Sequence, residues 1–471
     1  MAGSRFMTVE TCGLGFFWSW CYCLWFVPDV YQGIGIQLPG AQFAWLAVLG
    51  SAAVVQFCVP VLFRARPLSS FPSLNVIVPA AMLLGTVGIE LTHYAIPSES
   101  LYYGSSVLAG ASSAVLWHQW GERYAVTRNT DAASVALAFG VIVGISLVAS
   151  SCVPAPIADA YVAVIPLISG FLLRRSAKSD VPVRETVLLP KASRRMGQGA
   201  LVKVSLMVFL VCAACTFTWV SMPVLAANAG AELLRAGIVA GAAFMIAAAL
   251  PSLLFGCDFA TSRLLLWAVL GAIIAVALRT AGASSLIASS FVLSVSISVV
   301  LDVLLASYFV ALVVKGYAAS ATAFGFSEGF ICAAMLAGNL VARLAFGGEG
   351  GTSQLPVEIG LGLMCLLSLL LLLLGEQQDE IDVIMTAPPE ITDVERNCRA
   401  IADEFGLSAR EYEILVLLGQ GHTTQSLARV LVLSPYTVQT HIKHIYAKIG
   451  IHRRAELMDY VNLKRTSFDE A

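Results

Sequence analysis

The chain has 471 residues, 58% of them hydrophobic and 12% charged, with a mean hydropathy of +0.81. A water-soluble globular protein carries about 25% charged residues, so this composition excludes a chain that is soluble throughout. The net charge of −2 says little, because the charges are placed so unevenly. The eleven cysteines lie mostly inside apolar runs (Cys21, Cys23, Cys58, Cys212, Cys215, Cys365) and read as small hydrophobes. No Cys/His cluster has zinc spacing, and Cys212-x-x-Cys215 sits inside a spanning run, where a thioredoxin-like reading is poor. No metal and no cofactor are expected.

From the N-terminus, Arg5 precedes an aromatic-rich run, 14–36, with no clear small-residue cleavage site after it. It reads as a retained first span. Runs long enough to cross a bilayer core then recur to residue 375. They predict about twelve spans, six plus six: 13–35, 41–63, 73–95, 101–120, 132–152, 157–174, 201–225, 233–255, 262–281, 285–313, 322–345 and 355–375. The weakest are 101–120, with His118, Gln119 and nearby Glu122, and the long run 285–313. The largest break is the polar, basic mid-loop 175–200, expected in the cytoplasm. A membrane domain over 1–375 with this division resembles the two-halved layout of major facilitator transporters. The loop Arg64-Ala65-Arg66-Pro67 departs from their Gly- and Asp-containing pattern, which weighs against active transport.

Ionisable residues at membrane depth are expensive and mark candidate sites. Asp29, Glu90, Asp302 and Glu328, in or at the ends of spans, are the ligand-binding candidates, with Arg343 also noted. The first span's Phe16, Phe17, Trp18, Trp20, Tyr22, Trp25 and Phe26 either line an aromatic pocket or face lipid and headgroups.

Residues 376–406 read as a linker. Glu376, Asp379, Glu380 and Asp382 come first, then the helix-breaking Pro388-Pro389. A capping box, Thr392 with Glu395, opens a helix carrying Ile391, Val394, Cys398, Ile401 and Phe405 at helical spacing. This helix either docks on the C-terminal residues 407–471 or pairs with a second copy. The stretch is too short for a receiver domain.

Residues 407–471 predict four short helices. Ser408 and Glu411 form a capping box ahead of Ile414, Leu415, Leu417 and Leu418, and Gly419 and Gly421 stop the helix. Thr423 caps a second helix with Leu427, Ala428 and Leu431 inward. Ser434 caps the third, with Pro435 at its first position. There Val438, Ile442, Ile445 and Ile449 make a buried stripe, and Tyr436, Gln439, Thr440, Lys443 and Ala447 lie opposite. A fourth helix, 454–461, turns Leu457, Met458 and Val461 inward. Two short helices with a tight turn fit either a helix-turn-helix or a generic four-helix bundle.

Arg410-Glu411, Gly421, Leu427-Ala428, Leu433-Ser434, Thr437-Val438, His441, Ile445 and Lys448-Ile449-Gly450 carry a resemblance to LuxR/NarL-type DNA-binding domains. It covers about the last 60 residues. It implies that helix 434–449 enters the major groove of double-stranded DNA, and together with the spans above the expectation is an all-α chain, a polytopic membrane bundle ending in a four-helix LuxR-type helix-turn-helix domain. Gln439, Thr440 and Lys443 are then expected at base edges, and Thr423, Ser434, Thr437, His441 and Lys448 near phosphates, with Val438 in the same DNA-binding segment. Gln439 stands where the family commonly has Lys, and Gln can pair adenine bidentately. Ser426 stands where an acidic residue is common. Within 408–471, eight Lys and Arg face six Asp and Glu. So modest a charge makes a single copy a weak binder, and a homodimer on paired half-sites is expected.

DNA binding requires a cytoplasmic C-terminus, and twelve spans then put both termini inside. Fifteen Lys and Arg fall in the segments this topology places inside, against Arg235, Arg279 and Arg343 outside or at adjoining span ends. That is the positive-inside bias. The expectation is a one-component transcription regulator in a bacterial-type cell membrane, in contact with the lipid bilayer and answering an unknown small-molecule signal. The alternative is a transporter with a regulatory DNA-binding tail. No nucleophile–base pair, metal motif or phosphate loop suggests an enzyme.

Overall fold

A computed structural model describes residues 7–26, 44–63, 67–96, 98–127, 131–178, 191–220, 227–255, 257, 259, 261–314, 318–346, 355–376, 393–419, 424–431, 433–451, 453, 456–457 and 460–461. The chain divides into two compact units, Met1–Val187 with Gly197–Met385, and Leu188–Met196 with Thr386–Ala471. The described regular structure is helical, as the composition and periodicity predict.

Twelve long helices precede residue 377 among the described residues: α1 (Val9–Phe26), α2 (Ala44–Leu62), α3 (Leu74–Tyr94), α4 (Glu99–Thr127), α5 (Ala132–Cys152), α6 (Ala155–Ala177), α7 (Lys191–Val220), α8 (Ala227–Phe255), α9 (Thr261–Thr280), α10 (Ser284–Val314), α11 (Ser320–Phe346) and α12 (Leu355–Glu376). Nine are long and apolar enough over their described residues to cross a membrane, and the apolar stretch Leu46–Leu62 of α2 is slightly shorter. Large apolar side chains such as Val61, Phe171, Phe255, Trp267, Leu344 and Leu372 stand more than half exposed. A surface of that kind needs a nonaqueous solvent. Prolines sit inside α2, α3, α6 and α8. Helices packed in a membrane tolerate them because neighbours satisfy the freed backbone groups.

The neighbours reveal a repeat that the sequence hides. α2 and α3 both pack on α4, and α3 packs on α6; six helices later, α8 and α9 both pack on α10, and α9 on α12. The two halves meet through α2 with α11 and α5 with α8. Adding six to each number in one pair, and counting on from α12 to α1, gives the other, the mark of a pseudo-two-fold axis between halves. Burial follows this plan: 89% of the apolar window of α10 lies inside the bundle, against 17% for α12.

α4 is the least apolar of these helices because its polar groups make specific contacts. Glu122 accepts hydrogen bonds from the backbone N–H of Leu68 (2.8 Å) and Ser69 (2.7 Å), holding the 3-10 turn Leu68–Ser70. Gln119 donates to Asn75 at 2.8 Å. Four aromatic residues of α1 turn inward, while the side chains of Trp25 and Phe26 lie outside the described residues. Trp18 packs on Trp117 and edge-on against Phe139 (centroids 5.9 and 5.0 Å), and Trp20 donates to Thr86 at 3.0 Å. Phe17, Trp18, Trp20 and Tyr22 are buried core rather than a lipid-facing belt.

Glycine lets two of these helices touch backbone to backbone. A methyl group at Gly110 of α4 would stand 2.3 Å from the Val48 carbonyl oxygen of α2, whereas one at Gly144 meets nothing within 4 Å. Overpacking that moves backbone typically costs about 1–3 kcal/mol. Gly110→Ala is therefore expected to lower the thermal midpoint of the detergent-solubilised protein, and Gly144→Ala to leave it nearly unchanged. Equal midpoints for the two variants would contradict the α2–α4 packing.

The second unit has its own core. Its helices are α13 (Asp393–Glu404), α14 (Ala409–Gly419), α15 (Thr424–Leu431) and α16 (Pro435–Ile449), followed by short helical pieces at 456–457 and 460–461. Leu415, Leu427, Val438, Ile445, Leu457 and Val461 are buried together. α13, placed in the linker by the sequence, contributes Cys398 and Ile401 to this core, and the Asn397 side-chain amide donates to the Val461 carbonyl at 2.7 Å. The docking alternative is the arrangement observed for this helix. Met458, Thr392 and Pro388-Pro389 lie outside the described residues.

Candidate DNA-binding face and a buried acidic pair

α16 is built from its caps inward. The Ser434 hydroxyl accepts from the Thr437 N–H at 3.0 Å, and Pro435 takes the first position, where no N–H is needed. Gly450 ends the helix in the left-handed region (φ 81°), with its N–H on the Tyr446 carbonyl. Val438, Ile445 and Ile449 are buried, with Ile442 packed alongside. Tyr436, Gln439, Thr440, Lys443, His444 and Ala447 are exposed, and Thr437 and His441 are half-buried. The expected base-edge residues thus share one solvent-facing stripe.

Two residues sit differently from expectation. Val438 is fully buried and its N–H bonds the Ser434 carbonyl, so it supports the face from behind. Lys448, expected near phosphates, donates to the Glu411 carboxylate at 2.7 Å and the Gly406 carbonyl at 3.1 Å. Its ammonium clamps the end of α16 to the start of α14. Thr423 lies outside the described residues.

The capping box forms as read. Glu411 accepts from the Ser408 N–H at 2.7 Å, and the Glu411 N–H donates to the Ser408 hydroxyl at 3.3 Å. At the other side of the core, the Arg410 guanidinium donates to the Leu431 carbonyl at 3.2 Å. A cation at the last turn of α15 also suits its dipole. Lys448, and then the Ser408 N–H, hold the Glu411 carboxyl down at about 2. A depressed folded-state pKa stabilises above the unfolded value, about 4.3, and the contribution fades as pH falls from there toward 2. Protection factors of the amides in α14 and α16, with exchange referred to its intrinsic rate at each pH, are expected to fall across this window in the native chain. In Glu411→Gln that pH-dependence should largely vanish, with faster exchange already at pH 6.

Within the first unit, the structure brings two of the ligand candidates together. Asp302 of α10 accepts a hydrogen bond from the Tyr22 hydroxyl of α1, and Asp302 and Glu328 of α11 are near enough to act on each other electrostatically. Both residues are half-buried, with their carboxyl groups inside the bundle. Glu90 of α3 has a different charged neighbour, Asp159 of α6. Asp159 went unnoticed in the sequence, although an acidic residue within the run 157–174 was the available signal. Asp29 lies outside the described residues, as does the side chain of Arg343.

Residues 406–461 match the family of bacterial regulatory proteins, luxR family. The chain is 40% identical over 53 residues to a protein of Mycobacterium tuberculosis named as a putative HTH-type transcriptional regulator, covering 11% of this chain and 6% of that protein. It is 39% identical over 59 residues to the oxygen regulatory protein NreC of Staphylococcus aureus, covering 12% of this chain and 27% of NreC. The similarity to these relatives therefore spans only a small part of their lengths. The solved human organic anion transporter MFSD10 superposes with a TM-score of 0.54 at 13% identity, covering 79% of this chain and all of that one. The Escherichia coli fucose:proton symporter FucP does so at 0.51 and 13% identity, covering 78% and 97%. At such identity the likeness is one of fold: a membrane body of major facilitator type, followed by a luxR-type helix-turn-helix.

Proposed function

We propose that the chain is a membrane-embedded, one-component transcriptional regulator. Its luxR-type helix-turn-helix binds double-stranded DNA sequence-specifically, and its transporter-like body senses a small-molecule signal. One observation carries the DNA half: α16 turns Gln439, Thr440 and Lys443 outward on one stripe while Val438, Ile445 and Ile449 hold it to a core. A polar, lysine-bearing recognition helix of this kind lies in the major groove, its outward residues at base edges. Thr423, Ser434, Thr437 and His441 sit toward phosphates in this reading. Two copies bind as a homodimer on paired half-sites, which compensates for the modest charge of the unit.

The sensing half draws on Asp302, Glu328 and Tyr22. Three helices, α1, α10 and α11, meet at these side chains. A ligand that prefers one arrangement of these helices shifts the equilibrium between two arrangements of the body. The chain then orients both termini to the cytoplasm of a bacterial-type cell membrane, where the DNA is.

The test uses the full chain in lipid nanodiscs, mixed with fragments of its own genome. Enrichment of discrete fragments is expected; recovery of all fragments equally, or none, would overturn the DNA reading. A reporter fused after Ala471 should be active inside the cell, and external activity would reverse the orientation. The second reading, a transporter with a regulatory tail, is favoured by the major facilitator fold. It requires substrate uptake that survives removal of 393–471 and fails in Asp302→Asn.

A further inference from the structure

We infer that Tyr436 is an additional base-reading residue, and that it selects thymine through the C5-methyl group. The inference rests on the DNA-binding reading of α16 and concerns its specificity. Tyr436 is 80% exposed. Among the described residues of the second unit, it is the large apolar side chain left open to solvent; the other exposed ones belong to the first unit. It caps nothing and stacks on no neighbouring ring among the described contacts, and the helix start is already secured by Ser434, Pro435 and Thr437.

Its position shows what meets it. Tyr436, Gln439, Thr440 and Lys443 stand at i, i+3, i+4 and i+7, one stripe down α16. At 1.5 Å per residue the stripe is about 10 Å long, comparable with the width of the major groove, about 12 Å. Tyr436 occupies the N-terminal end, the part of a recognition helix that contacts base edges in docked helix-turn-helix proteins. The Thr440 hydroxyl donates to the Tyr436 carbonyl at 3.0 Å. That bond commits the Thr440 proton to the helix backbone, so the exposed side chain has its methyl group and an oxygen lone pair to offer. The N-terminal half of the stripe therefore offers an aromatic ring beside a methyl group, and Gln439 next to them offers an amide. In the major groove, the apolar feature of a base is the thymine C5-methyl, and adenine presents the donor–acceptor pair that an amide matches. An A·T step answers both.

The experiment selects a randomised duplex pool with the full chain in nanodiscs, in parallel with Tyr436→Ala and Tyr436→Phe, and re-measures affinities with deoxyuridine in place of thymidine. The expected result is a site in which one thymine preference weakens in Tyr436→Ala but persists in Tyr436→Phe. Removing that one methyl by deoxyuridine should weaken native binding about fourfold, the equivalent of one buried methylene, and leave Tyr436→Ala unaffected. Uniform weakening of all sequences by Tyr436→Ala would place the ring on the sugar–phosphate backbone and overturn the inference. An unchanged site and affinity would overturn it equally. If the native chain enriches no sequence at all, the DNA-binding reading itself fails.

Discussion

Replacing Ile445 by aspartate is expected to unfold the second unit and abolish DNA binding while leaving the membrane body folded. Ile445 is fully buried on the inner side of α16, in the core with Leu415, Val438 and Leu427. A carboxylate there has neither water nor a cation, and burying an unpaired charge belongs to the few mechanisms that cost more than about 4 kcal/mol. Small domains have about 5–15 kcal/mol in total. Ile445→Val, which removes only a methylene, should cost about 0.5–1.5 kcal/mol and keep binding. Hydrogen exchange read by mass spectrometry separates the units: peptides from 393–461 should lose protection in Ile445→Asp, and peptides from α10 should not. Loss of protection throughout the chain would mean that the two units do not fold independently.

The second large effect separates residues that read DNA from those that hold the reader in shape. Gln439→Ala is expected to lose about 1–3 kcal/mol of discrimination at one base pair, the worth of a bidentate contact. Lys443→Ala should weaken binding and lower the slope of log affinity against log salt by about 1 where the ammonium neutralises a phosphate. Lys448→Ala should leave that slope unchanged, because its ammonium is paired with Glu411. Instead it should destabilise the unit and reduce the acid sensitivity that Glu411 confers, the Ser408 N–H bond remaining. Titrations between 50 and 200 mM salt distinguish the two lysines. A full unit of slope lost in Lys448→Ala would return that residue to the phosphate backbone.

Much of the second unit was legible because its determinants are local. The Ser408–Glu411 box and the Ser434–Pro435 start act within one turn, and each appears as read. The inward stripe of α16 follows from a period of 3.6 residues and needs no knowledge of the partner helices. The Glu411 contact of Lys448 was not legible, for the opposite reason. Its partner lies 37 residues earlier in the chain, and a cation at a helix end looks the same in sequence whether it meets phosphate or Glu411.

In the membrane body, chain order and hydropathy determined that there are many spanning-type helices, because a lipid interior demands long apolar runs with their backbone bonds satisfied internally. They also located the division into two halves. They did not determine which helices touch: apolar residues look alike whether they face lipid or protein, so the central place of α10 and the peripheral one of α12 emerged only on packing. Nor did they show that Asp302 meets Tyr22 and Glu328 while Glu90 meets Asp159. Those neighbours stand on different helices, and the tertiary structure alone decides them, since no local periodicity says which helices the fold packs together.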